Sequence, residues 1–144
     1  MNKEIVSINT YWVEDENADV SYLETTAEEH YGENGSAWSH ISDELKAKTK
    51  KEYGSIWKAC EEYARKDAER LAAFERGEWH MKGCRAEAKV SIGGTLQTIK
   101  TAGLWGIESD TVAEYFALVE KSEVEDLIKM LASMGFSTEG KWQW

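Results

Sequence analysis

The sequence predicts an α+β fold in which a small antiparallel sheet packs against helices. Three observations favour this class. Residues 4–13 are rich in β-branched and aromatic side chains, which is typical of a strand. Residues 78–101 alternate in polarity around a pair of glycines, which indicates a β-hairpin. Apolar residues then recur at helical spacing in the segments 40–76 and 111–134, so the helices lie between and after the strands.

The chain length predicts one domain. The chain has 144 residues, of which 42% are hydrophobic, and this is enough to bury a core. We therefore expect a single domain over residues 1–144. Residues 24–38 are rich in acids, glycine and asparagine and are expected to form a mobile acidic loop. Residues 137–144 are expected to form a short C-terminal tail.

The segment 40–76 predicts either one long helix or a pair of helices. From Tyr53 onward, apolar residues recur at spacings of three and four, which indicates one buried face. Gly54 and a run of lysines weaken the pattern in the middle, so a pair joined near residues 48–52 fits as well as a single helix. Gly77 suits the position just after a helix, where φ is often positive.

The glycine pair at Gly93 and the next residue sets the register of the predicted hairpin. A two-residue turn there places Glu87 opposite Lys100, which is a favourable cross-strand pair. Upstream, the alternation of apolar residues changes phase at Gly83. This change of phase predicts a β-bulge at that glycine.

The C-terminal part of the chain predicts helices. Residues 103–110 read as an apolar turn that leads into them. Capping boxes that begin at Thr111 and Ser122 predict two helices, near residues 111–121 and 123–134. The N-terminal strand and the Gly-Gly hairpin would then pack against the long helix or helix pair and against these C-terminal helices.

The charge of the chain constrains its partners. The formal net charge is −10, and residues 1–44 are almost exclusively acidic among their charged positions. Such a surface repels nucleic acid, so a protein partner with a basic surface is expected and direct nucleic-acid binding is not. No segment approaches the roughly 20 apolar residues of a membrane span, and the first residues do not resemble a signal peptide. Cys60 and Cys84 lack a disulfide pattern, so we expect a cytoplasmic protein.

The N-terminal carboxylates are the leading candidates for function. Spaced carboxylates can imitate the phosphates of a nucleic acid and occupy a basic groove, although they can also serve only solubility. The chain also contains seven Trp, and exposed Trp is enriched at interface hot spots. The candidate partner-binding residues are Glu14, Asp15, Glu16, Asp19, Glu24, Glu28, Glu29, Trp12 and Trp38.

A second hypothesis is a nucleic-acid-associated accessory protein. The basic segment 46–51 contains four lysines that could contact phosphate groups. The alternative interpretation is a solvated helix face that balances the acidic N-terminal third.

A third hypothesis is a Mg²⁺-dependent nuclease. Glu87 and Lys89 lie two residues apart on a strand, with Asp67 upstream, as the acid and the Asp/Glu-x-Lys motif of such enzymes do. The alternative is a solvated strand face. The histidines and cysteines lack metal-ligand spacing and no nucleophile motif is present, so we expect no metal, no cofactor and no enzymatic activity.

Three segments of the chain also carry a family resemblance. They read RGEW at residues 76–79, GCRA at 83–86 and GLWGIESD at 103–110, and the upstream VEDENADVSYLE at 13–24 adds to them. The chain resembles, over about residues 13–136, uncharacterised small acidic proteins of phages and bacterial mobile elements. The resemblance implies a bacterial host cell. Small acidic proteins in that setting include inhibitors of CRISPR and restriction systems, so the resemblance implies an anti-defence role.

Overall fold

The computed structural model describes residues 1–139. It confirms the predicted α+β class, with an antiparallel sheet built from the N-terminal strand and the Gly-Gly hairpin. The sequence predicts a single domain, whereas the contacts divide the chain into two compact units. We call them the sheet unit, Met1–Ala18 with the described chain from Trp79 onward, and the helical unit, Asp19–Glu78. The helical unit is therefore an insertion between the first and second strands.

The elements follow the chain in the order strand, helices, strands, helix. Among residues 1–139, no helix is both long enough and apolar enough to cross a membrane. Numbered along the chain, the elements are β1 (Lys3–Glu14), α1 (Ala27–Tyr31), a 3-10 segment (Glu33–Trp38), α2 (Asp43–Tyr53), α3 (Ile56–Glu75), β2 (Met81–Ile92), β3 (Thr95–Lys100), β4 (Leu104–Glu108) and α4 (Ala113–Ser133).

β2 is the central strand of the sheet. It pairs with β1 along one edge and with β3 and then β4 along the other, always antiparallel. The predicted hairpin register is confirmed, since Glu87 lies opposite Lys100. Both glycines of the turn have positive φ, as a primed hairpin turn requires. The predicted bulge is also confirmed, because the pairing of β2 with β4 shifts between Lys82 and Cys84, on either side of Gly83.

β4 replaces part of the predicted apolar turn. Gly106 interrupts its alternation with a φ of +73°, so the sequence does not show a strand period there. The strand lies close to β2 because Gly83 has no side chain: a Cβ on Gly83 would fall 2.3 Å from Cε3 of Trp105. The indole ring therefore packs directly on the β2 backbone.

One continuous helix, α4, occupies the region where the sequence predicts two. Ser122 lies in its interior and does not cap a second helix. The hydroxyl of Thr111 donates to the carbonyl of Glu108 at 2.6 Å, and the N-cap of α4 is Val112. The helix continues through Ser122 because Val124 and the buried residues that follow it in α4 pack against the sheet. The free energy gained by this burial exceeds the local preference of Ser122 for a helix cap.

The core of the sheet unit lies between α4 and the sheet. Val124, Leu127 and Leu131 of α4 pack with small and β-branched side chains of β2. Phe136 closes the C-terminus of α4: its N–H donates to the Leu131 carbonyl at 3.0 Å, and its side chain is buried.

The helical unit is built on two capped helices. Of the two predicted alternatives, the structure has the helix pair and not the single long helix, and the break falls at Gly54, with φ of +96°, and not at residues 48–52. Ser42 and Ser55 cap α2 and α3 by accepting backbone N–H groups. The residues expected to form a loop at 24–38 contain α1 and the 3-10 segment instead.

Candidate functional site

The end of β1 presents two of the predicted carboxylates to solvent. Glu14 is the last residue of β1 and Glu16 lies just beyond it, and both are exposed. Within residues 1–139, neither side chain makes a hydrogen bond or an ion pair. Both carboxylates are therefore available to a partner.

Asp15, between them, is held by three hydrogen bonds. Its backbone N–H donates to the Met81 carbonyl at 3.0 Å. Its carboxylate accepts the backbone N–H groups of Asn17 and Gly106, each at 3.2 Å. Asp15 thus ties the end of β1 to β2 and β4, and it fixes the backbone from which Glu14 and Glu16 project.

The other predicted carboxylates lie in the helical unit and are partly used within it. Asp19 accepts the backbone N–H of Ser21 at 2.9 Å. Hydrogen bonds from Ser21, its side chain first and its backbone second, hold the pKa of Asp19 below its usual value. The Glu29 carboxylate accepts a hydrogen bond from the Thr26 hydroxyl at 2.8 Å, while the Glu29 N–H donates to that hydroxyl, so the Thr26 side chain caps α1.

Glu24 and Glu28 differ in exposure. Glu24 is half-buried and its backbone N–H donates to Asp67 at 3.0 Å. Glu28 is exposed and makes no hydrogen bond or ion pair in the described chain. The predicted acidic set is thus divided between the two units, with Glu14, Asp15 and Glu16 in the sheet unit and the other four carboxylates in the helical unit.

Trp12 is half-buried and holds α4 against the sheet. Its indole N–H donates to Oε1 of Glu120 at 2.8 Å, and its ring meets Phe116 edge to face at 5.1 Å. The ammonium of Lys82 lies 4.7 Å from the Trp12 ring centroid and 4.1 Å from that of Phe116. This cation–π arrangement depends on the pairing of β1 with β2, so the linear sequence carries no local signal for it.

Trp38 lines a cavity of the helical unit. The cavity measures about 450 Å³, and it lies among the 3-10 segment, α2 and the first turn of α3. Its lining includes Tyr31 and Trp38 together with Lys46 and Lys50. The sequence holds Trp38 and the lysines in separate segments, and only the fold brings them around one cavity.

The basic segment 46–51 therefore has two faces. Lys46 and Lys50 are one helical turn apart and border the cavity. Lys48 and Lys51 are exposed on the same helix, α2, and are not part of the cavity lining.

Two of the three residues of the nuclease hypothesis, Asp67 and Lys89, have hydrogen-bond partners inside the chain. Asp67 Oδ2 lies 3.0 Å from Nε2 of His30, and it belongs to the helical unit, whereas Glu87 and Lys89 belong to the sheet unit. The Lys89 ammonium donates to the Thr98 hydroxyl at 3.0 Å. In the described part of the chain, no three His, Cys, Asp or Glu side chains are grouped so that they could hold a metal ion.

Both thiols are buried. Burial, with smaller contributions from Glu120 and Glu123, raises the pKa of Cys84 to about 11. Burial also raises the pKa of Cys60, and a hydrogen bond with the Trp38 side chain partly opposes that rise. Both groups therefore stay protonated at neutral pH, so neither is an activated nucleophile.

These features define an α+β chain with an acidic strand end in one unit and an aromatic, lysine-bearing cavity in the other. Comparisons with models of protein families, with curated proteins and with solved structures find no match. Most of the predicted C-terminal tail, residues 140–144, lies outside the described residues.

Proposed function

We propose that this chain is a non-enzymatic binding protein that engages a basic surface of a protein partner through the carboxylates at the end of β1. The observation that carries the proposal is the contrast at three adjacent positions. Asp15 is fixed by hydrogen bonds, whereas Glu14 and Glu16 are exposed without a partner in residues 1–139. The two solvated carboxylates project from a fixed backbone and form no hydrogen bond or ion pair within the described chain. They therefore suit the recognition of a partner more than the stabilisation of the fold.

Charge supports the same proposal at longer range. A chain of net charge −10 attracts a basic surface before contact, so it raises the rate of association. The exposed carboxylates are hydrated in the unbound protein. They form ion pairs only when a cationic groove of the partner contacts them. Binding through such a surface weakens as salt screens the charges.

The partner that fits this surface is a protein that normally binds nucleic acid. Its cationic groove presents Lys and Arg side chains at which carboxylates can replace phosphates. The resemblance to proteins of phages and bacterial mobile elements extends the proposal to an effector of host defence, such as a CRISPR or restriction nuclease complex. The chain would then act as an inhibitor that occupies the nucleic-acid groove.

The test is capture from a bacterial extract, followed by displacement. The tagged chain is incubated with the extract at low salt, and the captured complex is challenged with raised salt or with DNA and RNA. The variant E14K/E16K reverses the two exposed charges. The variant E125K/D126K is the matched control, because it makes the same change in net charge at exposed positions of α4.

We expect one nucleic-acid-binding complex to be captured, and we expect salt or nucleic acid to release it. The variant E14K/E16K should fail to capture it, whereas the control E125K/D126K should capture it as the wild type does. Capture that resists salt and nucleic acid would contradict the mimicry mechanism. Equal loss with both variants would show that net charge, and not the end of β1, is responsible.

A further inference from the structure

The cavity of the helical unit has the size of a small-molecule site. Its volume of about 450 Å³ falls within the roughly 300–1,000 Å³ range of ligand pockets. Every residue of its lining belongs to the helical unit, so it is separate from the acidic end of β1.

The charge of the cavity is opposite to that of the chain. Lys46 and Lys50 are the charged members of its lining, and the other members are aromatic, aliphatic or neutral polar residues. Within residues 1–139, neither lysine has a hydrogen bond or an ion pair. Like charges four residues apart on a helix repel one another, and an anion between them would remove that repulsion.

The aromatic side of the cavity is held in place. Tyr31 meets Trp57 edge to face at 5.6 Å, and a Cβ on Gly35 would lie 3.1 Å from the Tyr31 ring, so the loop backbone packs closely on that ring. Burial raises the pKa of the Cys60 thiol and the Trp38 side chain partly opposes that rise, so Trp38 lies beside the thiol. Aromatic rings that pack against such neighbours contact a ligand at little cost in side-chain entropy.

Neutral polar groups complete the lining. Asn34 adopts a left-handed backbone conformation, with φ of 54°, at the bend of the 3-10 segment. The Ser39 hydroxyl donates to the Ser36 carbonyl at 2.8 Å, so its oxygen can still accept a hydrogen bond. The cavity thus offers donors, an acceptor, two cations and two rings.

We propose that this cavity binds a nucleotide, with its phosphate at Lys46 and Lys50 and its base against Tyr31 and Trp38. Lysine ammonium groups bind phosphate as point charges, and aromatic side chains stack on bases without strong sequence preference. A heteroaromatic ring that carries phosphate is the ligand class that uses both halves of the cavity. The nucleotide is either free or one unit of a single strand, and the test separates these two sources.

The experiment is calorimetric titration of the full chain with AMP, with ADP, with a short single-stranded DNA and with inorganic phosphate. The variant K46A/K50A removes the cavity cations. The variant K48A/K51A is the matched control, because it removes the same charge from the same helix outside the cavity lining. Amide NMR spectra confirm that each variant is folded, and the indole N–H signal of Trp38 reports binding at the cavity.

We expect a nucleotide to bind and to shift the Trp38 indole signal. We expect K46A/K50A to weaken binding by about tenfold or more for each lysine, because charge-assisted hydrogen bonds are lost, and K48A/K51A to bind as the wild type does. Binding of AMP or ADP identifies a free nucleotide, and binding of the single strand alone identifies a strand. No binding, equal weakening by both variants, or inorganic phosphate that binds as tightly as AMP would overturn the proposal.

Discussion

The two units of this chain bury their side chains differently. In the sheet unit, large residues such as Leu127 and Leu131 are fully buried and form a continuous core with β2. In the helical unit, the buried apolar side chains are small, at Ala59, Cys60 and Ala64, while Trp57 remains 41% exposed. The sheet unit thus depends on apolar burial, and the helical unit depends more on helix caps and ring contacts.

This difference matches the kind of site that each unit carries. In the sheet unit, the proposed site lies on the surface, at exposed residues such as Glu14 and Glu16. The helical unit, with its half-buried rings, leaves a cavity beside Tyr31 and Trp38.

The largest effect is expected in the core of the sheet unit. Leu127→Ala removes a fully buried side chain and should lower the free energy of unfolding by about 2–5 kcal/mol. Leu118→Ala, on the same helix but 63% exposed, should change it by less than about 0.5 kcal/mol. Urea unfolding followed by amide NMR signals from each unit measures both. Similar losses for the two variants would contradict the core as described.

The next effect is a loss of stability at high pH through Cys84. Its pKa rises from an ordinary 9.0 to about 11 in the folded protein, so the folded state keeps a proton that the unfolded state releases between those values. The contribution of this group is therefore complete below pH 9.0 and falls by about 2–3 kcal/mol as the pH rises through 11. Unfolding measured across this range should be less steep in pH for Cys84→Ala than for the wild type. Equal slopes would show that Cys84 ionises normally.

The smallest effect concerns the helix caps. Ser55→Ala removes the side-chain cap of α3 and should destabilise the helical unit by about 1 kcal/mol. Ser122→Ala is the control, because Ser122 lies inside α4, where alanine should be neutral or stabilising by about 0.5 kcal/mol. If Ser122→Ala instead destabilised the chain by as much as Ser55→Ala, the continuity of α4 would be in doubt.

The elements with a strong period or a strong turn signal could be predicted from the sequence. The Gly-Gly turn determines the pairing of Glu87 with Lys100, and the change of phase at Gly83 indicates the bulge, because both depend on local backbone geometry. The sequence did not predict β4. Gly106 breaks the alternation of polar and apolar residues, and the strand depends on the contact of Trp105 with β2. The sequence did not predict α4 as a single helix, because the capping preference of Ser122 stabilises a helix start less than the burial of Val124 stabilises a continuous helix.

The candidate sites were predictable as residue types but not as groups. Acidic positions such as Glu14 and Glu16 are visible in the sequence, whereas the use of Asp15 as a bridge to Gly106 requires the folded sheet. Trp38 and Lys46 are likewise visible, but only the packing of the helical unit places them around one cavity. Contacts between residues far apart in the chain leave no local pattern in the amino-acid sequence.

The measurement that tests the division between the two units most directly compares two variants in two assays. E14K/E16K should lose capture of the protein partner and should bind the nucleotide as the wild type does. K46A/K50A should lose the nucleotide and should keep the partner. A variant that loses both activities while remaining folded would contradict the assignment of one site to each unit.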